Sequence, residues 1–152
     1  MKMRLIYPAW PKLKQQTEFH LPPHGPVVFA ATVPPEVDLQ FTDDNLETVD
    51  LNESPDLVAF SVMLTCQLPR AFALADHFRA RKIPVLFGGI ATMLHADEVA
   101  EHADSVFLGE AEGRFAQVLD DLQAGREGCA PSTTIFTTIP ISNWSARPAE
   151  RF

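Results

Sequence analysis

The stretch from Lys82 to Glu112, KIPVLFGGIATMLHADEVAEHADSVFLGEAE, constrains the fold more than any other part of the chain. It reads as strand, Gly-Gly turn, short helix, strand, and a second glycine turn that opens into a helix. That succession belongs to a parallel α/β sheet, because parallel neighbours need a crossover connection and a helix is the usual one. Open sheets of this kind take ligands outside the carboxyl ends of their strands. The two glycine turns are therefore the first place to look for a site, although glycines alone do not define a ligand.

The same pattern extends in both directions. Met3–Tyr7 (MRLIY) is a short apolar run stopped by Pro8 and predicts a first buried strand. Pro8 to Pro23 is a long loop containing Trp10, Phe19 and His20; loops of that length are uncommon in a compact domain, and this one leaves the carboxyl end of a strand, which points to function. HGPVVFAATVPP, from His24, predicts a short and largely buried helix ended by Pro34 and Pro35. Val37–Phe41 alternates as a second strand with one face more exposed, closed by the turn formers Thr42 to Asn45, and Leu46 to Pro55 predicts a loop or a short helix.

Leu57–Met63 (LVAFSVM) is almost continuously apolar, as a strand covered on both faces should be. Pro69–Arg81 places Ala71, Phe72, Ala75 and Phe78 at helical spacing with charges opposite. Strands at Pro84–Phe87 and Ser105–Leu108 follow, with a short helix over Ala96–Glu101 between them, and an amphipathic helix over Glu112–Ala124 is closed by Gly125. Thr133–Ile139 suits an added edge strand, and Pro140–Phe152 a linker or tail. This order predicts a Rossmann-like, flavodoxin-like doubly wound sheet, mainly parallel and five-stranded, in three α/β/α layers with strand order 2-1-3-4-5. The expected division is an α/β domain over residues 1–128 and an edge strand with linker or tail over 129–152.

Composition narrows the function classes. A chain of 152 residues that is 46% hydrophobic suits one domain with a real core. A net charge of -8, with twelve scattered Lys and Arg, argues against a nucleic-acid partner. Cys66 and Cys129 have neither CxxC spacing nor a disulfide framework, so a reducing cytoplasm is expected. No apolar run reaches the roughly 18 residues of a membrane span, and the N-terminus lacks a signal-peptide core, so no membrane partner is expected.

Several familiar sites fall away on inspection. GGIATM lacks the third glycine of a dinucleotide fingerprint, and no Gly-Lys-Ser/Thr of a P-loop occurs. Asp43 and Asp44 invite a phospho-receiver reading, yet the third and fifth strands end in Ser61 and Gly109-Glu110 rather than in an Asp and a Lys. Glu110 and Glu112 suit the N-terminus of the following helix, or accept hydrogen bonds from a ligand. Ser61, Thr65 and Cys66 lie at or past the third strand, where Ser61 and Thr65 either cap loop backbone or meet a ligand, while Cys66 has no neighbouring His. His20, His24, His77, His95 and His102 show no metal-type spacing; His77 sits on the polar helix face, and His20 and His24 occupy the loop above the first strand. No catalytic residue and no metal site is assigned, and the residues read as a binder.

The order of RLIYP, HGPVVFAA, VDLQFTDDN, DLVAFSVMLTC, RAFALADHFRARKIPVLFGGIAT and ADSVFLGEAEGRF, over residues 3–125, resembles the cobalamin-binding domain that precedes the catalytic barrel in cobalamin-dependent radical S-adenosylmethionine enzymes. The resemblance implies a corrinoid held across the carboxyl edge of the sheet. Ser61, Leu64 and Thr65 would border the corrin or its nucleotide tail; Gly88, Gly89 and Ile90 would flank the tail; Gly109, Glu110 and Ala111 would close the other side; Tyr7 and Pro8 would sit under or beside the ring. Two departures matter. YPAWPK has no His, so the Asp-x-His-x-x-Gly cobalt ligand of methyltransferase and mutase domains is missing, as it often is in the radical subgroup. The CxxxCxxC cluster motif is absent too, so an iron-sulfur cluster and S-adenosylmethionine would belong to a missing catalytic domain, in cis or in trans. No catalysis is expected from this chain alone. Two competing readings remain, namely a degenerate Rossmann-like domain serving protein interaction without a cofactor, and a small hydrolase or transferase using Ser61 or Cys66.

Overall fold

Hydrophobic periodicity along the strands decides the architecture. The computed structural model describes residues 1–12, 23–109, 111, 114–116, 118–120 and 134–137. The strands are β1 (Lys2–Tyr7), β2 (Asp38–Asp43), β3 (Leu57–Ser61), β4 (Val85–Gly88), β5 (Ser105–Leu108) and β6 (Thr134–Thr137). They form one sheet in the order β2-β1-β3-β4-β5-β6, and every neighbouring pair is parallel. The predicted 2-1-3-4-5 order is present, with the edge strand added beyond β5.

Alternation sends successive side chains to opposite faces. On one face Ile6, Val58, Phe60, Val85, Phe87 and Val106 form a core with the helices α2 (Leu68–Ala80), α3 (Ile90–Leu94) and α4 (Ala96–Glu101). Its centre is aromatic, with Phe60 stacked on Phe87 at 4.9 Å between ring centroids. On the other face Met3, Leu5, Leu57, Ala59, Leu86 and Phe107 pack with Phe115, Val118 and Leu119 and with Phe29 and Ala30 of α1 (His24–Thr32). The result is a doubly wound, three-layer α/β domain.

Helix α2 buries Ala71, Phe72, Ala75 and Phe78 at the spacing read from the sequence, together with Leu74. Residues 115, 116 and 118–120 are helical, within the predicted last helix; its expected Gly125 cap and the tail from Pro140 lie outside the described residues.

Apart from shifts of a residue or so at element ends, the differences from expectation have physical reasons. Strand β2 runs two residues further, through Thr42 and Asp43, because it pairs with β1 as far as Tyr7. Strand β3 stops at Ser61, because the Met63 and Leu64 N–H groups donate to the side chain of Gln67 rather than to a ladder. Helix α1 is not largely buried: only Pro26 is, since a cavity rather than packed side chains lies beneath part of it. Among the described residues no helix is long and apolar enough to cross a membrane.

Candidate ligand site at the carboxyl edge of the sheet

The site follows from the loss of side chains where adjacent strands reach the carboxyl edge. Residues i and i+2 share a face. On the α1 side, Ala59 and Leu86 form one tier and Ser61 and Gly88 the next toward the carboxyl edge, with Phe107 of β5 level with Gly88 and Gly109 beyond it. Ser61 and Gly88 are direct register partners, as are Ala59 and Leu86. Gly88 cannot fill the space that Leu86 fills one tier below, and Gly109 adds no side chain beyond Phe107. The consequence is a cavity of about 330 Å³, lined by both tiers and closed above by His24, Gly25, Val28 and Phe29 of α1. Leu5, Gly89 and Ala111 complete much of the wall.

Gly88 and Gly89, adjacent in sequence, occupy different environments. A Cβ on Gly89 would lie 2.5 Å from the Val62 oxygen and 2.9 Å from its nitrogen, and the residue has φ +100°. The close approach is built by two hydrogen bonds, from the Val62 N–H to the Gly88 oxygen (2.8 Å) and from the Ala91 N–H to the Val62 oxygen (3.1 Å). Gly89 is a glycine for structural reasons. Gly88 is not: the nearest atom to a Cβ there would be the Phe107 Cβ at 4.0 Å. At Gly25 it would be the Ser61 Oγ at 3.9 Å. Both therefore leave open a cradle that a side chain would fill. Gly109, with φ +119°, makes the turn after β5.

Beside the cavity the edge is polar and tightly bonded. The Gln67 side chain is fully buried in a 3₁₀ turn (Thr65–Gln67); its Oε1 accepts from the N–H groups of Met63 (3.0 Å) and Leu64 (2.9 Å), and its Nε2 donates to the Pro8 carbonyl. Asp44 accepts a bidentate pair from Arg70 at 2.8 and 2.9 Å and a third bond from the Ala9 N–H at 3.1 Å. The Trp10 N–H donates to the Asn45 Oδ1, and the Trp10 ring meets Tyr7 edge-on at 6.0 Å. Asp44 holds Arg70 protonated beyond its ordinary range through these bonds. Burial pushes the Tyr7 phenol up, and the nearby Asp43 and Cys66 add to the shift. Gln67, by hydrogen bonding, opposes it.

Of the residues singled out in the sequence, Ser61, Gly88, Gly89, Gly109 and Ala111 meet at the cavity. Tyr7, Pro8, Leu64, Thr65 and Ile90 do not line it: Tyr7 is buried at the end of β1, and Leu64 and Ile90 are exposed beside the edge, as are Met63 and Leu94. Glu110, Glu112, His20 and Cys129 lie outside the described residues. His24 opens α1 rather than sitting in a loop, and it joins the cavity wall. Gln67, Gly25 and the inner face of α1 are missing from the sequence reading. Gly25 was legible as the second residue of a predicted helix, where glycine is a poor choice without a reason, whereas a lone Gln after TC signals nothing.

Among the described residues no base meets Ser61 or Cys66 by hydrogen bond, whereas the Thr65 hydroxyl meets an imidazole. Its Oγ1 lies 3.2 Å from the His95 Nε2, while the His95 Nδ1 is 3.7 Å from Glu98, all near solvent. Among the described residues no three His, Cys, Asp or Glu side chains gather into a metal site. A degenerate domain would have its glycine turns filled by neighbouring side chains; here a cavity borders Gly88, Gly89 and Gly109.

No protein-family profile matches the sequence, and no solved structure matches it. One curated protein does: bacteriochlorophyllide d C-8(2)-methyltransferase of Chlorobaculum tepidum is 29% identical over 100 residues. The match takes in 65% of this chain and 22% of that protein, so the chain spans under a quarter of the length of its relative.

Proposed function

We propose that this chain is a corrinoid-binding module of a methyltransferase, working with a radical S-adenosylmethionine domain in cis or in trans. The observation that carries the reading is the apolar cavity of about 330 Å³ at the carboxyl edge, bordered by Ser61, Gly88 and Gly109. An apolar cavity of about 150 Å³ accepts a benzene ring, so one of this size suits the bicyclic base of a cobalamin tail. The similarity to a methyltransferase supports the reaction class.

The residues present fit that group. Leu5, Ala59, Leu86 and Phe107 offer the base apolar contact, and the missing side chains at Gly25 and Gly88 leave its width. Ser61 supplies a hydroxyl at the inner wall, and Gly109 and Ala111 bound the far side. The aromatic pair Tyr7 and Trp10 and the apolar side chains of Met63 and Leu64 lie on the adjoining edge, where a flat macrocycle would rest. When bound, the corrinoid would supply the methyl-carrying cobalt, and the protein's part is to bind and orient it. An iron-sulfur cluster and S-adenosylmethionine would be held by the other domain.

The test is direct. The chain, mixed with hydroxocobalamin and desalted, is expected to keep the visible corrin spectrum; a colourless protein sinks the reading. Gly25→Leu, which fills the cradle without backbone strain, is expected to fold normally and to lose the colour.

A further inference from the structure

We infer that Gln67 is the positioning residue that sets the two edge loops as one surface for the ligand. This role rests on the corrinoid reading. Three backbone groups at the carboxyl edge have no ladder partner: the N–H groups of Met63 and Leu64 beyond the end of β3, and the carbonyl of Pro8 beyond the end of β1. A primary amide is the side chain whose inventory answers all three, because its oxygen has two lone pairs and its nitrogen two N–H groups. Gln67 spends both lone pairs on Met63 and Leu64 and one N–H on Pro8.

The bracing is continued from the other flank. Ala9 hangs from Asp44 and Trp10 from Asn45, both following β2, so three consecutive residues of the first loop are each held by a different side chain. Gln67 joins the first loop to the third, from Pro8 to Met63 and Leu64. Its burial is complete, so the amide's hydrogen bonds have no water to replace them. Pro8, expected with Tyr7 under or beside a corrin ring, and Leu64, expected to border the ring or its tail, are thereby fixed relative to one another before any ligand arrives. Pre-organisation of this kind lowers the cost of ordering loops on binding.

Two variants test it, with hydroxocobalamin as the probe and amide hydrogen exchange on the ligand-free chain as a second readout. Gln67→Met keeps the volume and drops every hydrogen bond. It is expected to weaken hydroxocobalamin about ten-fold or more, the size of one buried hydrogen bond left unmade, and to strip protection from the Met63 and Leu64 amides. Gln67→Glu reproduces the amide only while its carboxyl is protonated, accepting from the two N–H groups and donating to Pro8. Its affinity and its amide protection are expected to recover toward wild type as pH falls, a trend the wild-type chain lacks and a generally loosened core would not produce.

A Gln67→Met protein that binds within two-fold of wild type overturns the inference while leaving the corrinoid reading standing. A wild-type chain that stays colourless overturns the corrinoid reading and the ligand role together. Exchange at Met63 and Leu64 that is the same in all three proteins overturns the bracing itself.

Discussion

At Gly89 the backbone of one turn passes so close to Val62 that a single methyl group has no room, and φ is +100°. At Gly88, one residue earlier, neither constraint applies. Gly89→Ala is therefore expected to lose about 2–4 kcal/mol, combining backbone strain with a clash against main chain that cannot rotate away. Gly88→Ala should stay within about 0.5 kcal/mol of wild type while narrowing the cavity. Urea unfolding of the pair checks both, and equal losses would show that Gly88 also has a structural reason.

Tyr7 offers a second residue-scale test, because it is the chain's single tyrosine and phenolate absorbance reports it alone. Its folded pKa lies above the unfolded value of 10.0. The contribution to stability is thus complete below pH 10.0 and is lost as pH rises through the folded pKa. Spectrophotometric titration is expected to place the phenol above the unfolded value, and Tyr7→Phe should flatten the alkaline fall in stability.

Among the elements, α2 does more than cover the sheet. Its apolar stripe is buried against β3 and β4, while Arg70 in its first turns reaches across to Asp44, whose side chain is only 4% exposed. Arg70→Met would leave that carboxylate without its bidentate partner. Because Arg70 itself is 43% exposed, the loss is expected to be modest, about 1–2 kcal/mol in thermal or urea unfolding, and smaller at high salt. The other end of α2 holds the chain before β3: Arg81 donates to the carbonyls of Leu51, Asn52 and Glu53 and to the Ser54 hydroxyl, and His77 shares the Leu51 carbonyl. Helix α1 differs in kind. It buries little because it roofs a cavity, and a helix that roofs a cavity is free to gain contacts when the cavity is filled.

For the whole molecule, that difference predicts a linkage. A ligand that enters the cavity binds the native state alone and raises the melting temperature with its concentration. Hydroxocobalamin is expected to raise it more than cobinamide, which has the same ring and no nucleotide base. Equal shifts would mean that the corrin ring meets the edge while the cavity stays out of the interaction.

The parallel sheet, its order and the two-faced core were legible in the sequence, because they follow from local signals: apolar runs of strand length, glycine turns after them and a 3.6-residue stripe at Ala71, Phe72, Ala75 and Phe78. The glycine positions were legible as well, and so was the edge at which to look. What each glycine is for was decided only in three dimensions, since Gly89 is fixed by Val62 and Gly88 is bounded by Phe107, residues 27 and 19 positions away. The cavity, the roof that α1 makes over it and the Gln67 brace belong to the same class. Each depends on tiers and loops that the fold brings together from distant strands, and no periodicity within a single strand or helix records which residues will face one another across that distance.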